Sequence, residues 1–203
     1  MNDFIDQQSD TQLFESFSKG SEEAFQQLIT RYKNGLYAFL KKFLNQHELI
    51  EDVFQETFLQ LYLSRDSYDT QRELRPWLFT IAANKAKDAL RKQQRTAAIS
   101  IGTMADSEDM SFDDMLNTLS SDQTVPSDDI SSNELSEQVR QVIADMPENL
   151  REILILAYFN KFSYKQMAQV LSIPIGTVKS RLHTSVARFA KDWKNLVRSK
   201  DHK

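Results

Sequence analysis

Apolar residues in this 203-residue chain recur at steps of three and four, the spacing that places them on one face of an α-helix. Leu13, Phe14 and Phe17 form a first short stripe, with Asp10 positioned to cap it. Ser21 is a second cap, and behind it Phe25, Leu28, Ile29, Tyr32, Leu36, Phe39, Leu40 and Phe43 predict a long helix. A third helix is predicted over 48–63, apolar at Leu49, Val53, Phe54, Phe58, Leu61 and Tyr62. A polar loop over 64–72 leads to a helix with Pro76 in its first turn. That helix runs to Arg91 or beyond along Trp77, Leu78, Ile81, Ala82, Ala89 and Leu90. Four more helices are predicted over 133–145, 148–159, 163–171 and 175–197, with Pro147 and Pro174 at or just before starts.

Between these two sets of helices the pattern stops. From Thr96 to about Ser132 the chain is rich in Ser, Asp and Thr and has no sustained apolar period, apart from a helical spacing at Phe112, Met115, Leu116 and Leu119. Such a segment cannot bury enough apolar surface to offset the entropy of ordering it. The expected fold is therefore all-α: a helical domain over 1–95, a flexible acidic linker over 96–134, and a smaller helical domain over 135–203.

Charge sharpens this division. The net charge is −4, but residues 96–136 hold nine Asp+Glu and no Lys or Arg, whereas 137–203 hold 12 basic against 6 acidic residues. Within the first domain, residues 72–95 hold seven basic and two acidic residues. Two basic patches on either side of an acidic stretch point to polyanion contacts at two places. Composition excludes several classes. Four Gly and four Pro are too few for the turns of an all-β protein, and zero Cys excludes disulfides and thiol chemistry. The first residues lack the basic and apolar parts of a signal peptide, and the apolar run Ile153–Phe159 is too short to cross a bilayer. A cytoplasmic protein without membrane insertion is expected.

Three segments carry candidate chemistry. Residues 163–183 hold a short helix with Met167, Ala168 and Leu171, a tight turn at Ser172-Ile173-Pro174, and a second helix anchored by Val178 and Leu182. Thr177, Lys179, Ser180, Arg181, Thr184 and Arg188 then face outward on that helix, with Lys165 on the first. This is the layout of a helix-turn-helix, whose second helix enters the major groove; the bland alternative is an αα-corner with a solvated basic face. Asp52, Gln55, Glu56, Phe58 and Gln60 cluster on the third helix. Without Glu-x-x-His anywhere in the chain this is a charged surface rather than a metal site. Finally, Arg75, Trp77, Asn84, Lys85, Lys87, Asp88, Arg91 and Lys92 share one helix, and cations interleaved with a stacking surface suit single-strand capture. Trp77 also suits the core. Asp88 suits either a base amino group or a contact to Lys85 or Arg91. No nucleophile–base pair, Gly-rich phosphate loop or metal-ligand set is present, so neither catalysis nor a cofactor is expected.

In this order, the segments resemble the extracytoplasmic-function group of bacterial sigma-70 factors. Asp52-Val-Phe-Gln55-Glu56-Thr-Phe58 resembles the region 2.2 helix that grips the β′ subunit of RNA polymerase. Arg75-Pro-Trp-Leu through Ala89-Leu-Arg91 resembles regions 2.3 and 2.4, and Pro147 to Phe189, with Gly176-Thr-Val-Lys-Ser-Arg-Leu182, resembles region 4. The resemblance implies a transcription initiation factor with core RNA polymerase (β and β′) and promoter DNA as partners. Asp52 to Gln60 would bind the polymerase, and the 75–92 residues would melt and read the −10 element. A flipped base would lie near Asn84, Asp88 and the 64–72 loop, and the 165–188 residues would read the −35 element. It also implies an anti-sigma factor, and a linker path through the polymerase's RNA exit channel. A plain helix-turn-helix regulator would not explain the 48–92 helices, and an interaction module would not explain the second basic patch.

Overall fold

The computed structural model describes residues 8–44, 46–69, 72–101 and 130–200, and among these residues all regular structure is helical. The expected linker between 101 and 130, including the helical spacing at 112–119, lies outside the described residues. The first domain consists of α1 (Asp10–Ser18), α2 (Glu22–Phe43), α3 (His47–Leu63), a 3-10 turn (Arg65–Ser67) and α4 (Leu74–Ile101). The second consists of α5 (Ile130–Ala144), α6 (Glu148–Leu154) running into a π-helical turn (Ile155–Phe159), α7 (Tyr164–Leu171) and α8 (Ile175–Lys200). α4 continues into, and α5 begins within, the stretch whose composition reads as linker.

Helix starts are set by side chains. The cap of α1 is Ser9, which accepts from the Gln12 amide while the Gln12 side chain accepts from the Ser9 amide, a reciprocal box that satisfies two orphan donors. Asp10 does not cap; it sits one residue inside, accepts from Arg31 Nη1 at 2.7 Å and from the Tyr32 hydroxyl, and so ties α1 to α2. Burial and this bond raise the Tyr32 phenol well above its ordinary range. Ser21 caps α2 as expected, accepting from the Ala24 amide.

α4 is central, because it is buried on two sides. One ridge, Leu74, Leu78 and Ala82, packs into the first domain. A second ridge at i, i+4 spacing, Arg75, Phe79, Ala83 and Lys87, faces the second domain. Phe79 lies 5.5 Å from Phe39 of α2 and 5.0 Å from Phe162 of the second domain, edge to face with both. Arg75 donates to the Asn160 carbonyl at 2.5 Å and stacks over the Phe162 ring at 4.4 Å. Asn160 donates to the Gly35 carbonyl at 3.3 Å, and Gln166 to Glu73 at 2.6 Å. Arg151 of α6, 1% exposed, lies over Phe43 and donates to the Ala144 carbonyl. The two domains thus share one continuous apolar core, a contact the separate apolar stripes do not announce.

The turn between α7 and α8 rests on Ser172, which has φ 53° and ψ 43°. Its amide donates to the Gln169 carbonyl and that of Ile173 to the Ala168 carbonyl, the pair of bonds of a Schellman ending. Glycine normally takes this left-handed position because a Cβ there costs about 1–2 kcal/mol. Serine therefore carries local strain, and Ser172→Gly should stabilise the chain by up to ~1 kcal/mol after glycine's unfolded-state entropy is subtracted. Thermal unfolding should show a midpoint a few degrees higher; an unchanged or lower midpoint would contradict the assignment of strain.

Candidate nucleic-acid interface

In the second domain, α7 and α8 meet as the spacing predicts. Ser163 and Gln166 form a capping box at the start of α7, and Met167, Val170 and Leu171 are buried. The Pro174 carbonyl accepts from the Val178 amide and opens α8, while Val178 is fully buried. Buried Ser185 donates to the Leu150 carbonyl at 2.7 Å and pins α8 across α6. The outer face of α8 then presents Lys179, Ser180 and Thr184 to solvent, with Thr177, Arg181 and Arg188 half-buried beside them and Lys165 exposed on α7. Arg188 is ion-paired to Asp192 at 2.6 Å, so its charge is already partly balanced. Ser180 and Thr184 donate to carbonyls one turn back, Thr177 and Ser180 respectively, which leaves their oxygens as acceptors at the surface.

On α4 the candidate residues separate onto different faces. Asn84, Asp88 and Arg91 are exposed on one line, where Asp88 pairs with Arg91 at 3.3 Å. That pairing is the second of the two roles its position allows. Lys92 is exposed beside them. Lys85 reaches Glu56 of α3 at 3.1 Å. Trp77 is half-buried, its ring 4.3 Å from Tyr68 and 6.0 Å from Phe14. It holds Tyr68, just after the 3-10 turn, against the bundle, and the Tyr68 hydroxyl donates to the Arg72 carbonyl. Burial, with Asp10 and Asp69 nearby, pushes the Tyr68 phenol up to about 12.

Arg75 and Lys87 do not face solvent as single-strand capture requires. Arg75 is engaged by Asn160 and Phe162, and Lys87 Nζ lies 2.9 Å from Glu152 Oε1 of α6. Glu152 is 1% exposed. Burial raises its carboxyl above the usual range, an effect opposed by Lys87 and more weakly by the nearby charge of Arg181. Nothing local in the sequence marks Glu152. It lies within an apolar helix segment, and only the docked domain shows what it meets.

On α3, Asp52, Gln55 and Glu56 are exposed and Gln60 is half-buried, donating to Ser64 at 2.8 Å. Phe58 departs from the predicted surface: it is 6% exposed and packs edge to face on Phe54 within the bundle. The apolar residues that share the surface with Asp52 and Glu56 are Leu59 and Leu63, 57% and 66% exposed. Their signal was present in the spacing, since 52, 56, 59 and 63 fall on one helical face opposite the buried stripe.

Comparison with known proteins accounts for both domains. Residues 28–96 match the sigma-70 region 2 family and residues 136–188 the sigma-70 region 4 family. The chain is 30% identical over 178 residues to the ECF RNA polymerase sigma factor SigW of Bacillus subtilis, covering 88% of this chain and 93% of that one. It is 30% identical over 194 residues to the RNA polymerase sigma-H factor of Pseudomonas aeruginosa, covering 96% and 98%. Among solved structures, sigma factor RpoE of Bartonella quintana, in complex with the anti-sigma factor NepR, is 25% identical with a TM-score of 0.63, covering 84% of this chain and 96% of that one.

The environment of Trp77 makes it chiefly a structural residue. Trp77→Ala should lower stability by about 3 kcal/mol, as loss of a large packed ring does, and this is to be measured by urea unfolding of the chain alone. A loss below ~0.5 kcal/mol would leave the ring without a packing role.

Proposed function

Since the chain belongs to the extracytoplasmic-function group of sigma-70 factors and is an alternative sigma factor for transcription initiation, we propose that it docks on core RNA polymerase through α3 and delivers two DNA-reading helices to a promoter. Members of this family are non-enzymatic initiation factors, so bond-making stays with the polymerase and the chain works in the cytoplasm. The observation that carries the reading is the chemical separation of the surfaces. Asp52 and Glu56 repel a polyanion, and with Leu59 and Leu63 in the next two turns their face suits a protein. The outer face of α8 is cationic and hydroxyl-rich, which suits a duplex.

In this reading the α3 face binds the β′ subunit, with Leu59 and Leu63 added to Asp52, Gln55, Glu56 and Gln60. The outer face of α4, with Asn84, Asp88 and Arg91, serves the −10 element, and a base extruded there costs a few kcal/mol of unstacking. Lys165, Thr177, Lys179, Ser180, Arg181, Thr184 and Arg188 serve the −35 element. The RpoE relative is solved with an anti-sigma factor, which supports such a partner here. A regulator acting without polymerase is not favoured, because it leaves the region 2 match and the α3 face without a use.

The test is run-off transcription with purified core polymerase on a genomic fragment library, with and without the chain. Discrete starts behind a shared two-part motif are expected; duplex binding without transcription would contradict the proposal. Two variants locate the surfaces. Leu59→Ala combined with Leu63→Ala should weaken core binding at least tenfold while changing stability by no more than ~0.5 kcal/mol per site, because both side chains are exposed. Lys179→Ala should weaken promoter binding and reduce the slope of log affinity against log salt by about one.

A further inference from the structure

Resting on the proposed reading of α8 as the −35 helix, we infer that its C-terminal part is a second, sequence-neutral DNA-contacting segment. Lys191 and Lys194 seat it on the phosphate strand that borders the groove entered by residues 177–184, and Arg198 adds charge just beyond. The family match in this domain ends at residue 188, yet α8 continues unbroken to Lys200. A continuation of this length needs packing to hold it, and its inward line supplies that. Val178, Leu182, Ser185, Phe189, Trp193 and Leu196 follow one another at steps of three and four and are buried or half-buried. The Phe189 and Trp193 rings stack 6.0 Å apart and 15° from parallel, and α5 packs along α8. The helix therefore stays straight past its reading residues.

Helical geometry then fixes what the opposite line presents. At about 100° per residue, Lys191, Lys194 and Arg198 fall on the same line as Thr177, Ser180 and Thr184, and all three are exposed. The one acid in the continuation, Asp192, is bonded to Arg188 at 2.6 Å. Lys191, Lys194 and Arg198 make no ion pair among the described residues. Like charges three and four apart on a helix repel one another, and a polyanion relieves that repulsion. The negative end of the helix dipole accounts for a cation only in the last turn, which covers Arg198 but neither lysine. At 1.5 Å per residue, Lys191 lies about 10 Å and Lys194 about 15 Å beyond Thr184. The major groove is about 12 Å wide, so a helix with residues 177–184 at base edges has left the groove by these positions. What faces it there is the row of phosphates on the bordering strand, within reach of a lysine's four-carbon stem. Arg198, about 21 Å out, acts only through space and is screened over about 8 Å at physiological salt. Phosphate contacts fix register and orientation but carry no sequence information, so this segment sets affinity and leaves the choice of bases to residues 177–188.

The test uses the chain bound to core polymerase, on a promoter duplex recovered by run-off and on the same duplex with its −35 element scrambled. Lys191→Gln combined with Lys194→Gln should weaken binding to both duplexes by the same factor, about tenfold at physiological salt, and reduce the slope of log affinity against log salt by about two. Lys191→Arg combined with Lys194→Arg keeps the charge and should keep the slope, which general damage to the helix would not. Arg198→Gln should change the slope by less than about half a unit. Affinity for core polymerase should be the same in all variants. An unchanged slope in the glutamine variant, a loss confined to the intact −35 element, or a slope lost equally in the arginine variant overturns the inference and leaves the proposed function standing. Weakened core binding makes the segment a polymerase contact and overturns it likewise. If run-off with the parent chain yields no promoter, the proposed function fails and this inference falls with it.

Discussion

A helix buried on two sides needs small residues where its neighbours cross, and α4 supplies them: Ala82, Ala83 and Ala86 are all fully buried. The rest of the molecule follows from that constraint. The bundle takes the Leu74–Leu78–Ala82 ridge and the second domain takes the Arg75–Phe79–Ala83–Lys87 ridge, leaving one polar face outward. Apolar burial supplies the favourable free energy, about 2–3 kcal/mol for a ring such as Phe79. The Lys87–Glu152 pair adds little net stability, because desolvating two charges offsets most of their attraction. Its effect is on register. A second domain docked in a shifted register would leave a buried acid without its cation, which is far more costly than the pair is stabilising.

This division of labour also explains how one chain keeps three kinds of surface apart. Acidic and apolar residues share the outer face of α3, cations and hydroxyls share the outer face of α8, and α4 mixes both signs. The Lys85–Glu56 pair joins α4 to α3 at 3.1 Å, so the acidic face of α3 and the mixed-charge face of α4 meet at an exposed contact worth little by itself.

Much of the fold was legible because helical periods are local. The Phe25–Phe43 stripe, the Ser21 cap and the Ser163–Leu182 helix-turn-helix all stand where the spacing puts them. What failed were choices between equivalent neighbours. Ser9 rather than Asp10 caps α1, since only Ser9 has Gln12 three residues on to complete the box. Phe58 has two places in the sequence, the apolar stripe of the third helix and the acidic surface; only the first holds, and Leu59 and Leu63 share the outer face with Asp52 and Glu56. The largest miss was tertiary. Arg75 and Lys87 look like free cations in any one-dimensional reading, and only the docked domain shows the carbonyl and carboxylate that meet them. Glu152 was invisible for the same reason: its partner lies 65 residues earlier in the chain.

The most direct measurement is lysine acetylation footprinting of the chain in three states, read by mass spectrometry: alone, bound to core polymerase, and in an open promoter complex. Exposed Lys179 should react in the free chain and be protected only in the promoter complex, whereas Lys87 should be protected in the free chain, its ammonium held by Glu152. Lys87 as reactive as Lys179 in the free chain would contradict the account, because the cation would then never have been held by Glu152.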